Sequence, residues 1–292
     1  MDGLDAFLRV QSEPLTYLVF FGLLAPLILL EGVVSRSAEA PRRRRRWTGN
    51  YAMTALNIVV LGAIPVSAVM AADYARDNGI GLLNLLPIDP WTAVVAALLA
   101  RSLVSWAIHL AMHKVPWLWR LHRVHHSDPV LDVSTTVRMH PLEFVVNAPL
   151  LIGAAVLLGL PPAALMLYEL ADTALAVFSH ANIRLPARLE RLLNRVIVTP
   201  DVHRIHHSSL QPETDSNYGA TLTIWDRLFG TYREKPGPEL ATMTIGLDEY
   251  RGQPTASLFW MLLLPFRPFA RPSKDPTIGQ SLAPQPTRTD IP

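Results

Sequence analysis

Long apolar segments constrain this sequence more than any other feature. Residues 15–35, 52–72 and 92–113 are each mostly apolar, and a helix needs about 20 such residues to cross a bilayer. Residues 144–180 are also apolar, but Gly-Leu-Pro-Pro at 159–162 divides them into two antiparallel helices or a re-entrant hairpin. With 50% hydrophobic and 17% charged residues, the sequence predicts an all-α integral membrane protein with four to five transmembrane or re-entrant helices.

Composition excludes several kinds of chemistry. The chain has no cysteine, which excludes disulfides, thiolate nucleophiles, Cys-ligated zinc and Cys-held iron–sulfur clusters. Lysine and arginine number 26 against 24 acids, and this near balance argues against a nucleic-acid partner.

The distribution of charge predicts the orientation in the membrane. The segment Arg36–Arg46 has six arginines and one glutamate, whereas the N-terminus and residues 73–91 each carry a net charge of −2. Cytoplasmic loops are enriched in arginine and lysine, so the N-terminus is predicted to lie outside. Five crossings then place 36–51, 114–143 and 181–292 on the cytoplasmic face, where a helical cap is expected.

Four regions are predicted along the chain. Residues 1–91 form an N-terminal transmembrane region with two spans and the arginine-rich loop, and residues 92–235 form a second domain, which contains all ten histidines. Residues 236–266 are an amphipathic segment at the interface, because the apolar stretch 257–265 is too short to span. Residues 267–292, rich in Pro, Ser and Thr, are predicted to be a disordered tail.

The histidines form an ordered pattern. All ten lie between positions 109 and 207, and eight of them form one HxxxH and two HxxHH boxes. Side chains at i and i+4, or i and i+3, share a helical face, so each box presents paired imidazoles. These eight are His109, His113, His122, His125, His126, His203, His206 and His207.

The number of imidazoles predicts more than one metal ion. A tetrahedral site uses four ligands and an octahedral ion at most six, so eight or nine histidines imply two ions. The HExxH pattern of zinc hydrolases is absent, and the only acids next to the boxes are Asp128 and Asp201. Imidazole alone does not choose among iron, zinc, copper and nickel.

The motifs in this region resemble those of a known family. They are PWLWRLHRVHHSD (116–128), RMHPLE (138–143), SHANI (179–183), TPDVHRIHHS (199–208) and NYGATLTIWDRLFGTY (217–232). This set and order resembles the fatty acid hydroxylase/sterol desaturase superfamily of membrane di-iron oxygenases. The resemblance implies two iron ions at the cytoplasmic membrane face, O2 as co-substrate, and oxidation of an unactivated C–H bond of a lipid.

The resemblance also assigns roles by position. It implies that the eight box histidines and His180 of SHANI are iron ligands, whereas His140 either orients a ligand without touching the metal or is a tenth ligand. Asn217, Tyr218, Trp225 and Asp226 match the C-terminal signature, which we interpret as a structural turn. The electrons would come from a separate donor, either a ferredoxin or a cytochrome b5-type protein with its reductase.

Alternatives remain open at the level of sequence. A metal-dependent membrane hydrolase could use the same histidines to activate water, and a metal transporter could use them as cargo ligands, although such ligands are expected near the bilayer midplane. Within the oxygenases we favour hydroxylation over desaturation. The substrate, such as a sterol or a fatty acyl chain, cannot be read from these motifs.

One intramembrane ion pair is also predicted. Arg101 precedes His109 by eight residues and Asp172 precedes His180 by eight, which places both about 12 Å deeper along their helices. Glu169 would lie about 16 Å deeper than His180. Because an unpaired charge in a bilayer is costly, we expect Arg101 to face an acid, with Asp172 preferred to Glu169, either as a structural pair or as the polar end of a substrate tunnel.

Overall fold

The computed structural model describes residues 2–37 and 43–268. Within them the chain is helical, with three isolated β-bridges and no strand. Most of the predicted tail, residues 269–292, lies outside the described residues. The α-helices are α1 (Asp2–Val33), α2 (Arg43–Gly62), α3 (Ala68–Asp77), α4 (Leu82–Leu85), α5 (Pro90–Lys114), α6 (Pro116–His126), α7 (Pro141–Leu158), α8 (Pro162–His180), α9 (Ala187–Leu193), α10 (Pro200–His206), α11 (Gln211–Thr214), α12 (Ile224–Leu228), α13 (Gly237–Thr242) and α14 (Leu258–Leu263); 3-10 turns span Val133–Val137, Asp248–Tyr250 and Leu264–Phe266.

Four of the described helices are long and apolar enough to cross a membrane: α1 from Gly3 onward, α5, α7 and α8. Only 17% of the residues in the most apolar window of α1 are buried in the protein, so most of its side chains face outward, as lipid requires. The predicted division of 144–180 into two helices is confirmed, since α7 and α8 have 18 and 19 residues on either side of Gly159. The all-α prediction is also confirmed.

The predicted span at 52–72 is wrong as a single helix. Helix α2 ends at Gly62, and α3 begins only at Ala68. Pro65 explains the break, because a proline lacks the N–H of a helical residue and disfavours helical backbone at the residue before it, here Ile64. Ser67 then starts α3, its side chain accepting a hydrogen bond from the amide of Met70 at 3.2 Å.

The broken segment nevertheless runs antiparallel to α1 over the same distance. At one end Arg43 pairs with Glu31 at 3.0 Å, and at the other Arg9 pairs with Asp73. Arg9 and Glu31 are separated by 22 residues of helix, or about 33 Å, which is close to the thickness of a bilayer core. Residues 43–77 therefore connect the same two ends of the bundle as α1.

The helices bearing histidines meet at one end of the bundle. Helix α8 packs along α1, with Leu8 near Ala163 at one end and Leu27 near Val177 at the other. Helices α6 and α10, which carry the HxxHH boxes, lie at the end where α5 and α8 terminate. We call the segments at this end, 115–140 and 181–268, the cap. Helix α14 covers α6 and α2 there, with Met261 packed against Met53 and Val124.

Candidate metal centre

Nine histidines converge in two neighbouring sets. In each set, one ring nitrogen from every histidine lies within 4.8 Å of all the others. His126 and His207 join the sets, because their rings stack with centroids 4.4 Å apart. The first set is His109, His113, His122, His126 and His206, and the second is His125, His180, His203 and His207.

Helix ends position these side chains. His109 and His113 occupy successive turns at the end of α5, and His180 is the last residue of α8. Each HxxHH box splits between the sets, but not as expected from the sequence, where the first two histidines of a box were predicted to share one ion. The first and third histidines, four residues apart, lie in the same set, so in α6 His122 and His126 face the first set and His125 the second. Each box therefore contributes histidines to both sets.

Ring nitrogens approach one another closely. The Nε2 atom of His109 lies 3.0 Å from that of His122 and 3.1 Å from that of His206. In the second set the Nε2 atom of His180 lies 3.2 Å from His125 and 3.0 Å from His203. Two nitrogens bound at right angles to one ion, each at about 2.1 Å, lie about 3.0 Å apart.

In several rings, the hydrogen bond of Nδ1 leaves Nε2 as the nitrogen that is free to bind a metal ion. In the first set, Nδ1 of His109 donates to the carbonyl of Tyr218 at 2.7 Å, and Nδ1 of His206 donates to the carbonyl of Ser216 at 2.7 Å. Nδ1 of His122 faces the carboxylate of Glu143 at 3.0 Å. With their Nδ1 atoms bonded in this way, the three rings direct their Nε2 atoms into the same small volume.

Converging lone pairs require a cation. Neutral imidazoles with their protons on Nδ1 repel one another at 3.0 Å unless a positive charge lies between the Nε2 atoms. Both ring nitrogens of His113 and of His126 are buried and have no hydrogen-bond partner among the described residues. A buried polar atom left unpaired is costly, and metal coordination removes that cost, so these residues fit a metal ion.

Burial keeps the cap imidazoles neutral. Burial, reinforced by neighbouring histidines, lowers the pKa of His206 to about 3 against the effect of its bond to Ser216. Burial and adjacent histidines also hold the pKa values of His203 and His207 well below their ordinary value. The neutral form is the one that binds metal.

Comparison with known proteins supports one family for this chain. Residues 94–231 match the fatty acid hydroxylase family. Ornithine lipid hydroxylase of Rhizobium tropici is 25% identical over 268 residues, covering 90% of this chain and 78% of that protein. Alkylglycerol monooxygenase of Homo sapiens is 29% identical over 212 residues, or 70% of this chain. These matches support the fatty acid hydroxylase/sterol desaturase superfamily as the family of this chain.

Other similarities agree with this family assignment. A cholesterol 25-hydroxylase-like protein of Danio rerio is 28% identical over 244 residues, covering 78% of this chain and 93% of that protein. The match spans only 45% of the human alkylglycerol monooxygenase. No solved structure is significantly similar to this chain.

The family match and the structure together support several general statements. The similar proteins are hydroxylases and monooxygenases, which supports an oxidoreductase. The family consists of metal-dependent oxygenases that use O2, and the histidine sets of this chain are able to bind metal. The four long apolar helices make it a multi-pass membrane protein.

His140 lies apart from both sets. Its Nδ1 accepts a hydrogen bond from the amide of Leu142 at 3.2 Å, which caps α7. Its Nε2 donates to the carbonyl of Leu262 at 3.3 Å. Because both ring nitrogens are bonded to backbone, His140 has no nitrogen available as a tenth ligand.

Sequence reasoning missed Glu143, which is the acid of the RMHPLE element. It is buried at the start of α7, where its carboxylate faces His122. Metal-binding histidines commonly donate their other N–H to a carboxylate. The signal was present in the sequence, since Glu143 is an acid at the beginning of a long apolar segment.

Arg46 has a structural role that the sequence did not predict. The arginine run predicted only a cytoplasmic flank, but Arg46 is buried and donates to Asp128 at 2.9 Å and to Asp132. Although burial acts in the opposite direction, the charge of Arg46 lowers the pKa of Asp132. Nearby, Arg138 donates to the carbonyl of Val124 at 2.8 Å. This buried network fixes the end of α6, which carries three of the nine histidines.

The C-terminal signature holds the cap against α5. Asp226 accepts hydrogen bonds from the amide of Tyr218 at 2.8 Å and from the indole of Trp106 at 3.0 Å. Asn217 has a positive φ of 53° and bonds the carbonyl of Val202 through its side chain. Trp225 donates to Ser102 at 2.9 Å. These contacts agree with our interpretation of the signature as a structural turn.

The preferred partner of Arg101 must be corrected. Its guanidinium pairs with Glu169 at 2.9 Å, and no Arg101–Asp172 ion pair occurs in the described part of the chain. Helix geometry gives the reason. Glu169 lies eleven residues before His180 and so within about 20° of the same face, whereas the eight residues from Asp172 turn its side chain by about 80°. The depth of an acid in the membrane therefore predicted the partner of Arg101 less well than the helical face on which the acid lies.

Proposed function

We propose that this chain is a membrane di-iron monooxygenase that uses O2 and external electrons to hydroxylate an unactivated C–H bond in the hydrocarbon part of a lipid. One oxygen atom enters the C–H bond, and the other leaves as water. The observation that carries the proposal is the convergence of nine imidazoles, without thiolate or carboxylate ligands among them, into two adjoining sets. Two bound irons would supply the O2 activation that no side chain here can provide.

The two sets would each hold one iron. We assign His109, His113, His122, His126 and His206 to one ion and His125, His180, His203 and His207 to the other. Glu143 and the carbonyls of Tyr218, Ser216 and Ala176 would orient four of these rings through their Nδ1 atoms. Such partners raise the basicity of a ligand and fix its tautomer.

The position of the site suits a lipid substrate. His113 and His180 end the long apolar helices α5 and α8, and the remaining ligands lie in the cap beyond them. A hydrocarbon chain could therefore approach from between the helices, while electrons arrive from water. Tyr218, fully buried and packed edge-on against His109 and His113, would help to exclude water from the reacting bond.

Hydroxylation is favoured over the alternatives by specific observations. The relatives named above act as hydroxylases or monooxygenases, on ornithine lipid and alkylglycerol among others. A transporter would be expected to place its ligands near the bilayer midplane, whereas these histidines lie at helix ends and beyond. A hydrolase would need neither O2 nor electrons, so those requirements separate it from the proposal.

We further propose the division of the chain and its orientation. The catalytic domain would be residues 92–235, which contain the family match at 94–231, with 1–91 as the N-terminal transmembrane region and 236–266 as an interfacial segment. The exposed Arg44 and Arg45 at the histidine end of the bundle support a cytoplasmic position for the site. A ferredoxin or a cytochrome b5-type protein with its reductase would be the separate electron donor.

The proposal is tested by oxygen-isotope labelling. The full chain, loaded with iron, is reconstituted in vesicles of mixed lipid with ferredoxin, its reductase and NADPH under 18O2, and the lipids are analysed by mass spectrometry. We expect a lipid product with one 18O atom, absent without reductant and absent in His125→Ala and His206→Ala. Oxygen derived from water, or a product formed without O2, would contradict the proposal, and a desaturated product would replace hydroxylation by desaturation.

A further inference from the structure

The short helix α9 is amphipathic but leaves both of its faces exposed. Leu189 and Leu192 lie one turn apart on one face, and Arg188 and Arg191 lie one turn apart on the adjacent face. The following turn continues the pattern with Arg195 and Val196. Leu192 and Val196 are 61% and 60% exposed, so this apolar side is covered by nothing in the described chain.

Helix α12 extends the same surface. The amide of Thr223 donates to the carbonyl of Val196 at 3.0 Å, and the guanidinium of Arg227 donates to the carbonyl of Asn194 at 2.9 Å. The exposed apolar side chains of this segment thus adjoin those of α9. We name as the α9–α12 patch the exposed residues Arg188, Leu189, Arg191, Leu192, Arg195, Val196, Ile224, Arg227, Leu228 and Phe229.

The patch lies beside a membrane span and not beyond its end. Trp225 donates to Ser102, and Phe229 stacks on Trp106 with centroids 4.6 Å apart. Ser102 and Trp106 are twelve and eight residues before Lys114 in α5, so they lie about 18 and 12 Å from its end. Apolar side chains exposed at this level, such as Leu228 at 67%, are positioned to contact lipid.

The exposed charge of the patch is entirely positive. The acids of these segments, Glu190 and Asp226, are buried and bonded to Thr199 and to the amides of Tyr218 and Gly219. The four exposed charges are arginines, and none of them forms a salt bridge within the described residues. Apolar side chains flanked by arginines are the signature of a helix lying in the membrane interface, with anionic headgroups as its partners.

We propose that the α9–α12 patch is a binding surface for anionic phospholipids, at which leucines and Phe229 enter the acyl region and the arginines contact headgroup phosphates. The inference stands on these residues alone and does not depend on the hydroxylation proposed above. Its effect would be to fix the cap against the membrane surface on the α5 side.

The absence of cysteine permits a direct test of the position of the patch. Leu192→Cys and Leu228→Cys are labelled with a nitroxide in vesicles of phosphatidylcholine and phosphatidylglycerol. The references are Leu29→Cys on the exposed face of α1 and Gln253→Cys on an exposed turn of the cap. We expect O2 to enhance the spin relaxation of both patch nitroxides more than a water-soluble nickel chelate does, as for the nitroxide at position 29. Relaxation like that at position 253 would overturn the proposal and indicate a surface open to water or to a soluble partner.

The charge of the patch is tested separately. Lipid retained by the purified full chain is compared between a triple variant, Arg188→Gln, Arg191→Gln and Arg195→Gln, and a matched triple outside the patch and the arginine run, Arg233→Gln, Lys235→Gln and Arg251→Gln. The ratio of retained phosphatidylglycerol to phosphatidylcholine should fall in the patch variant, by up to about fivefold per arginine, and remain near that of the unaltered protein in the matched variant. An equal fall in both variants, or none in the patch variant, would overturn the role of these arginines.

Discussion

Glu143 faces His122 in the buried interior of the cap, with Oε1 of the carboxylate 3.0 Å from Nδ1 of the imidazole. The contact joins the start of α7 to α6 and directs Nε2 of His122 toward His109. In this way a residue outside the histidine boxes determines which nitrogen of a proposed ligand is available.

Replacing Glu143 by glutamine should weaken metal binding. An amide is a poorer acceptor than a carboxylate, and loss of such a partner typically lowers metal affinity by about 10–100-fold. Iron affinity would be measured by competition with a chelator. Glu190→Gln is the matched control, because Glu190 is also buried in the cap but bonds Thr199 and not a histidine. Unchanged affinity in Glu143→Gln would show that the contact does not tune the site.

Single histidine variants should separate the two sets. We expect His206→Ala to lose the ion of the first set and His125→Ala to lose the ion of the second, with turnover abolished in both. His140→Ala should keep both ions and lose about 1–2 kcal/mol of stability, because it removes the cap of α7 and the hydrogen bond to the carbonyl of Leu262. Iron content per chain and thermal unfolding measure these effects. Loss of an ion in His140→Ala would return that residue to the ligand set.

The apolar segments and the histidine spacing were sufficient to predict much of this structure. Both features depend on local sequence, since a span requires a run of apolar residues and a ligand pair requires a helical repeat. The break at Pro65 was missed because a long apolar run outweighed a single proline. The roles of Glu143 and Arg46, in contrast, depend on partners 21 and 82 residues away, which no local pattern reveals.

Substitutions of Arg101 and of Glu169 should lower the free energy of unfolding by different amounts. Arg101 is buried and also bonds Ser105, whereas the side chain of Glu169 is 51% exposed. Arg101→Met should cost about 2 kcal/mol, and Glu169→Gln should cost more, because it leaves Arg101 charged and without its partner inside the membrane. Thermal unfolding in detergent measures both. If Asp172→Asn were more destabilising than Glu169→Gln, the pairing described here would not be the one that stabilises the helices.

The metal-free protein should lose stability as the pH falls below 6.5, the pKa of an ordinary histidine. The folded pKa of His206 is lowered from 6.5 to about 3 by burial, so the unfolded chain binds more protons in this interval and acid favours unfolding. The slope expected from one such group is about 1.4 kcal/mol per pH unit. Unfolding of the metal-free protein between pH 7 and pH 4 should be less steep in His206→Asn. Identical slopes would contradict a buried, neutral His206.

The nine converging histidines are proposed to form a site for two irons. Anaerobic titration of the metal-free full chain with ferrous iron, followed by removal of unbound metal, measures the iron bound per chain. We expect saturation at two tightly bound ions, and at one in His125→Ala and in His206→Ala. Saturation of the unaltered chain at one ion, or the absence of tight binding in correctly folded protein, would contradict this proposal.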